Sequence, residues 1–181
     1  MNRALFTLAL PEFAPGAREW VDRVRVTHDR EFADRVGPHF TLVFGDTSID
    51  QEAYLAHVGE VAGAATPFPF ACRRAEVGTD HQNDTGYAFL VPDAGHSELL
   101  DLRAALHTGL FAPLLRLDIP YNPHITVGRF ERVGPARPIC DALNASGIDV
   151  SGRITGLTVV AMQPDGRIDE VAGFPLGARA G

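Results

Sequence analysis

Two stretches decide how this chain folds: residues 38–44, PHFTLVF, and residues 123–130, PHITVGRF. Each opens on Pro-His and continues in apolar and β-branched residues, the composition of a buried strand. Proline is tolerated there because the first residue of a strand loses no ladder hydrogen bond. Side chains alternate along a strand, so His39 and Thr41 share one face and His124 and Thr126 share another. Phe40 and Leu42, like Ile125 and Val127, then point the opposite way into a core. With 7 His and 13 Pro in 181 residues, a PHxT tetrad is expected by chance on the order of 0.03 times, and two are roughly a one-in-a-thousand accident. A single His-x-Thr in a strand is most often structural, its ring satisfied by backbone. Two copies at matching places need another explanation.

Outward from the tetrads the element order repeats. Residues 3–10 read as a strand, and Pro15-Gly16 opens a helix to about Asp34 with Trp20, Val24 and Phe32 among its apolar positions. Asp50 reads as the N-cap of a helix over 51–64, and 68–77 is a strand followed by a polar loop, 78–85. The second half runs in the same order: strand 87–92, helix 96–110 with the core stripe Leu99, Leu102, Leu106 and Leu110, the His124 strand, and helix 138–147 ended by Gly147. Strands over 153–162 and 167–174 close the chain around PDGR, and the final GARAG is a loose end. Phe6 lies 33 residues before His39, and Ala88 lies 36 before His124. Similar spacing predicts an internal duplication, about 3–77 and 86–162, within one domain spanning 1–181. The fold class expected is α+β and bilobal. Two pseudo-twofold-related lobes would each carry an antiparallel sheet and flanking helices, with a central cleft between them.

Composition narrows the chemistry. All 16 cations are arginine, against 23 acids, for a net charge of −7. Without lysine there is no Walker-type phosphate loop, no Schiff base and no lysine adenylation. The acidic balance argues against a protein that coats nucleic acid through bulk charge, while leaving a small anionic ligand open. Cys72 and Cys140 stand far apart with no CxxC, so neither a disulfide framework nor a zinc site is expected. Half-buried, reduced cysteines and a cytoplasmic location follow. MNRALFTLAL is interrupted by Pro11-Glu12 and reads as a strand rather than a leader, and no apolar run reaches the ~18 residues of a membrane span.

Two histidines in one cleft suit phosphoester cleavage. A neutral imidazole takes a proton while an imidazolium supplies one to the departing oxygen, and threonine hydroxyls hold the non-bridging oxygens. The scheme needs no metal and no cofactor. The doubled HxTx motif, one per half, resembles the two-histidine (2H) phosphoesterase superfamily, specifically its 2'-5' RNA ligase-like and RNA 2',3'-cyclic phosphodiesterase branch. The resemblance implies His39 as donor to the leaving oxygen, His124 as acceptor from water, and Thr41 and Thr126 as phosphate ligands. It further implies Arg129, in HITVGR, as a phosphate contact and an aromatic residue, Phe44, near a base. The expected activity is hydrolysis of a 2',3'-cyclic phosphate, on an RNA 3' end or a small nucleotide, to a 2'-phosphomonoester by a monomeric protein. Cleavage or ligation of 2'-5' linked oligonucleotides, and a non-catalytic RNA-end or nucleotide-binding module, are the alternatives.

Other residues have blander readings. Arg129 has a local acid in Glu131 as a second candidate partner, and Arg73 and Arg74 suit surface ion pairs. Tyr121 and Phe44 suit either a base or the core. His28, His57, His96 and His107 are read as surface or helix-end residues. His81, in the loop DHQND, is the one placed to touch substrate.

Overall fold

The computed structural model describes residues 3–79 and 83–178; His81 and the last three residues of GARAG lie outside the described residues. Among the described residues, nine strands form two antiparallel sheets. The first takes β3 (Phe40–Asp46), β1 (Ala4–Ala9), β8 (Gly156–Met162) and β9 (Ile168–Pro175), in that order. The second takes β2 (Glu12–Phe13), β7 (Val150–Ile154), β4 (Phe68–Thr79), β5 (Gly86–Ala94) and β6 (Ile125–Phe130). Helices α1 (Ala17–His28), α2 (Arg30–Ala33), α3 (Gln51–Ala64), α4 (His96–Leu106) and α5 (Ala136–Ala145) flank them.

The two tetrad strands hold equivalent places. β3 lies at the edge beside β1, with β8 beyond; β6 lies at the edge beside β5, with β4 beyond. Each sheet also takes strands from the other half of the chain, β8 and β9 in the first and β2 and β4 in the second, so the lobes are not the two sequence halves 3–77 and 86–162. Helices cross over as well. α1 packs on β6 and β7, while α4 packs on β3. The core is continuous through both lobes, with Phe40, Leu42, Ile125 and Val127 fully buried in it, and burial of such side chains stabilises the fold by about 1.5–3 kcal/mol each.

Local chemistry explains most boundaries. The Asp50 carboxylate accepts from the Glu52 and Ala53 amides at 3.0 and 3.2 Å and caps α3, worth about 1 kcal/mol. Gly147, with φ +76°, follows α5 and stops it. Three expectations need correction. The helix expected to run from Pro15-Gly16 to Asp34 breaks at Asp29, whose φ/ψ of −146°/39° is not helical and whose side chain turns inward. The helix 96–110 ends at Leu106; Gly109–Leu114 is a 3-10 turn in which Leu110 is exposed, so it leaves the core stripe. The strand 153–162 is two strands, β7 and β8, that part at Thr155 and enter different sheets.

Cys72 and Cys140 are free, and both are buried rather than half-buried. Arg73 pairs with Asp93 at 2.5 Å and Arg74 with Glu76 at 2.9 Å, all on the surface. Among the described residues no helix is long and apolar enough to cross a membrane.

Candidate active site

Between the two sheets lies a cleft of about 690 Å³. β1, β3 and β8 line one wall and β5 and β6 the other, and His39 and His124 both line it. The structure brings all seven residues singled out from the sequence to this cleft: His39, Thr41, Phe44, Tyr121, His124, Thr126 and Arg129.

The two imidazoles are held alike. His39 Nδ1 lies 2.8 Å from the Gly37 carbonyl and His124 Nδ1 lies 2.7 Å from the Asn122 carbonyl, each two residues back. A carbonyl only accepts, so Nδ1 carries the proton in both rings and Nε2 is the nitrogen free for chemistry. Burial pushes the His39 ring down to about 4; the Gly37 bond opposes this, and the charges of Arg25 and His124 add to it. Burial also lowers His124, opposed by the Asn122 carbonyl. Burial therefore favours the neutral form of both rings in the free protein.

Phe44 and Arg129 reach the cleft by a device that strand alternation does not predict. Each stands five residues after its histidine, an odd number, and a regular strand would turn it to the far face. In β3 the register against β1 slips between Thr41 and Val43, and in β6 the register against β5 slips between Thr126 and Gly128. The extra residue is Leu42 in one and Val127 in the other, the third after each histidine. A β-bulge there re-aims the residues that come next, and β3 slips against β1 a second time between Val43 and Asp46.

The second motif rests on a stack of rings. Phe89 lies under His124 with centroids 3.6 Å apart at 20°, and Tyr87 lies against Phe89 at 5.4 Å and 21°. Gly78 makes room, since a Cβ there would stand 2.0 Å from the Phe89 ring. The Arg129 guanidinium sits 3.8 Å from the Phe32 ring centroid and 5.3 Å from that of Tyr87. Its acid is Asp29, at 4.0 Å, not Glu131.

Three cleft residues escaped the sequence reading. Arg25 and Asp29 are 3% and 5% exposed and face each other at 3.9 Å, and Arg25 Nη2 also donates to the Phe32 carbonyl at 3.1 Å. Burial lowers Arg25 and raises Asp29. Arg103 lies over the Tyr121 ring at 4.1 Å. None of them carries a signal of its own: Asp29 shares its stretch with Glu19, Asp22, Glu31 and Asp34. Elsewhere, His57 bonds the Leu106 carbonyl from the middle of α3, while His28, His96 and His107 sit at helix ends. Among the described residues no His, Cys, Asp and Glu side chains gather in a set of three or more able to hold a metal ion.

A sequence profile of the 2'-5' RNA ligase superfamily matches residues 13–166. No curated protein matches the chain. Among solved structures, TT0787 of Thermus thermophilus is 22% identical, with 98% of this chain and 100% of that one covered and a TM-score of 0.62. E. coli LigT complexed with 3'-AMP is 18% identical over 97% and 99%, TM-score 0.63, and Kluyveromyces marxianus Usb1 is 10% identical over 97% and 99%, TM-score 0.58. At these identities the likeness establishes a shared fold.

Proposed function

The chain belongs to the 2'-5' RNA ligase superfamily, and on that premise we propose that its cleft opens 2',3'-cyclic phosphates by acid/base catalysis with His39 and His124. The observation that carries this is the matched pair of imidazoles, each presenting a free Nε2 to one cleft. Binding alone would not require two rings tautomerically fixed in the same sense. His124 Nε2 takes a proton from water as the water oxygen bonds to phosphorus, and His39, as imidazolium, protonates the departing ribose 3' oxygen. The product is a 2'-phosphomonoester. Thr41 and Thr126 donate to the non-bridging oxygens, and Arg129 adds a fixed positive charge. Phe44 and Tyr121 offer ring faces to a base. E. coli LigT, crystallised with 3'-AMP, ATP and NADP+, is a relative in fold whose ligands in those structures are nucleotides.

Purified protein in EDTA is expected to convert a 2',3'-cyclic mononucleotide or a cyclic-ended oligonucleotide to its 2'-phosphate, resolved from the 3' isomer by chromatography. Tight binding with no turnover would point to a binding module, and turnover only on adding zinc or manganese would point to a metallohydrolase.

The pH profile follows from the ring environments. The working form carries one imidazolium, which burial disfavours in the free protein. The pH optimum of kcat/KM is therefore expected on the acid side of neutrality, with a decline as pH rises through 7. A bound phosphodiester is anionic and favours the imidazolium, so the alkaline limb of kcat should lie at higher pH than that of kcat/KM. Initial rates between pH 4.5 and 8.5 test both; coincident limbs, or a kcat/KM optimum above pH 8, would contradict the scheme.

Gly78→Ala is expected to push Phe89 out from beneath His124. Overpacking of this kind destabilises by about 1–3 kcal/mol. Turnover should fall more than the loss of folded protein explains, and trimming the ring in Gly78→Ala/Phe89→Leu should restore melting temperature before it restores kcat.

A further inference from the structure

Among the described residues four arginines line the cleft, in positions that leave them different amounts of charge to offer. Arg25 and Arg129 share the carboxylate of Asp29. Arg116 is bound by Asp118 through two contacts at 2.8 and 2.5 Å. Arg103 has no carboxylate within ion-pair distance among the described residues, and its Nε is buried without a hydrogen-bond partner. Its guanidinium is nonetheless fixed, over the Tyr121 ring at 4.1 Å. Tyr121 is fixed in turn, because its hydroxyl donates to the Thr41 carbonyl at 2.8 Å and Phe44 meets its ring edge-on at 6.5 Å and 78°. A half-buried cation with an unsatisfied donor is thus tied through one ring to the backbone of the first His-x-Thr motif.

We propose that Arg103 is the anion site for a second phosphate, so that the cleft takes nucleotides carrying two phosphates, one between the histidines and one at the 5' position of the same nucleoside. This rests on the hydrolase reading for the first phosphate. The substrate class it selects is an RNA 3' end, whose last nucleoside always carries a 5' phosphate, or a 5'-phosphorylated cyclic nucleotide, in preference to a 2',3'-cyclic nucleoside monophosphate. Phosphate oxygens accept from the outer Nη groups of this half-buried guanidinium, charge-assisted bonds in a site partly shielded from water. Phe44, 55% exposed and edge-on to the same Tyr121 ring, offers a face for the base.

The test compares two stable ligands, adenosine 2'-monophosphate and adenosine 2',5'-bisphosphate, by calorimetry at fixed pH and ionic strength. Hydrogen bonds to charged groups are worth enough that wild type should bind the bisphosphate about tenfold more tightly or better. Arg103→Gln and Arg103→Met should each bring the ratio of the two dissociation constants close to one. The ratio is taken within each variant, so partial unfolding cancels. Arg116→Gln, which removes a cleft cation already paired with Asp118, should keep most of the preference. Equal affinities in wild type, or an equal collapse in the Arg116 variant, would overturn the site, the latter by showing a diffuse field. Neither ligand is hydrolysed, so the result separates from turnover. A protein that opens cyclic phosphates yet binds both ligands alike refutes the Arg103 site and leaves the hydrolase standing. One with the Arg103-dependent ratio and no turnover upholds the site and refutes the hydrolase.

Discussion

His39→Ala and His124→Ala should each lower kcat on a 2',3'-cyclic phosphate by about two to four orders of magnitude, the span that positioned acid/base groups supply. Neither ring carries the fold. Each makes one bond to a carbonyl two residues back, and each is held neutral against its tendency to protonate. Circular dichroism and melting should therefore show a folded protein in both cases. The double variant should lose little more than the worse single one, because donor and acceptor act in one displacement and the second has nothing to assist once the first is gone. Multiplicative losses would mean two independent contributions, which the single-centre scheme does not allow. A silent single variant would remove that ring from the chemistry altogether.

Strand alternation was enough to read His39 with Thr41 and His124 with Thr126 on shared faces, since an even spacing in an apolar run leaves no choice. The same rule places Phe44 and Arg129 on the wrong side. The bulges at Leu42 and Val127 correct it; LVF carries no sign of a register slip, and Gly128 in VGRF is the one local mark, since a glycine inside a strand pattern favours a bulge. Arg25, Asp29 and Arg103 were illegible for a different reason. An arginine on an amphipathic helix ordinarily reads as solvated, and only the crossing of α1 onto β6 and of α4 onto β3 turns these faces inward. The parting of β7 and β8 at Thr155 was hidden in a stretch that reads as one strand. Net charge says nothing of the local field: the chain carries −7, yet among the described residues Arg25, Arg103, Arg116 and Arg129 line a cleft with one acid, Asp29. A small anion responds to that local field rather than to the total.

The Arg25–Asp29 pair carries the largest expected effect on stability. Removing one member of a buried ion pair leaves the other charge without compensation, and Arg25→Met is expected to destabilise the protein by about 3 kcal/mol. Arg129, at 4.0 Å from Asp29 and 40% exposed, limits the loss without preventing it. Replacing both, Arg25→Met with Asp29→Leu, should recover most of the stability, because the pair's own attraction is set against the desolvation of two ions. The pH dependence identifies the cause. Burial already holds the Asp29 carboxyl above its unfolded value, and losing Arg25 raises it further, so the folded state of Arg25→Met binds more protons than the unfolded state above pH 3.8. Its deficit should therefore be greatest near pH 8 and shrink as pH falls toward 4.5, as measured by urea denaturation; a deficit independent of pH would assign the loss to packing instead. Activity should carry a separate signature. Arg25 is among the charges that lower His39, so its removal favours the imidazolium that donates to the leaving oxygen, and the His39 limb of the double variant's kcat/KM profile should be displaced to higher pH, toward neutrality. The pair thus bears on the titration of the proton donor as well as on the fold, and a His39 limb that stays in place in the double variant would remove Arg25 from the chemistry.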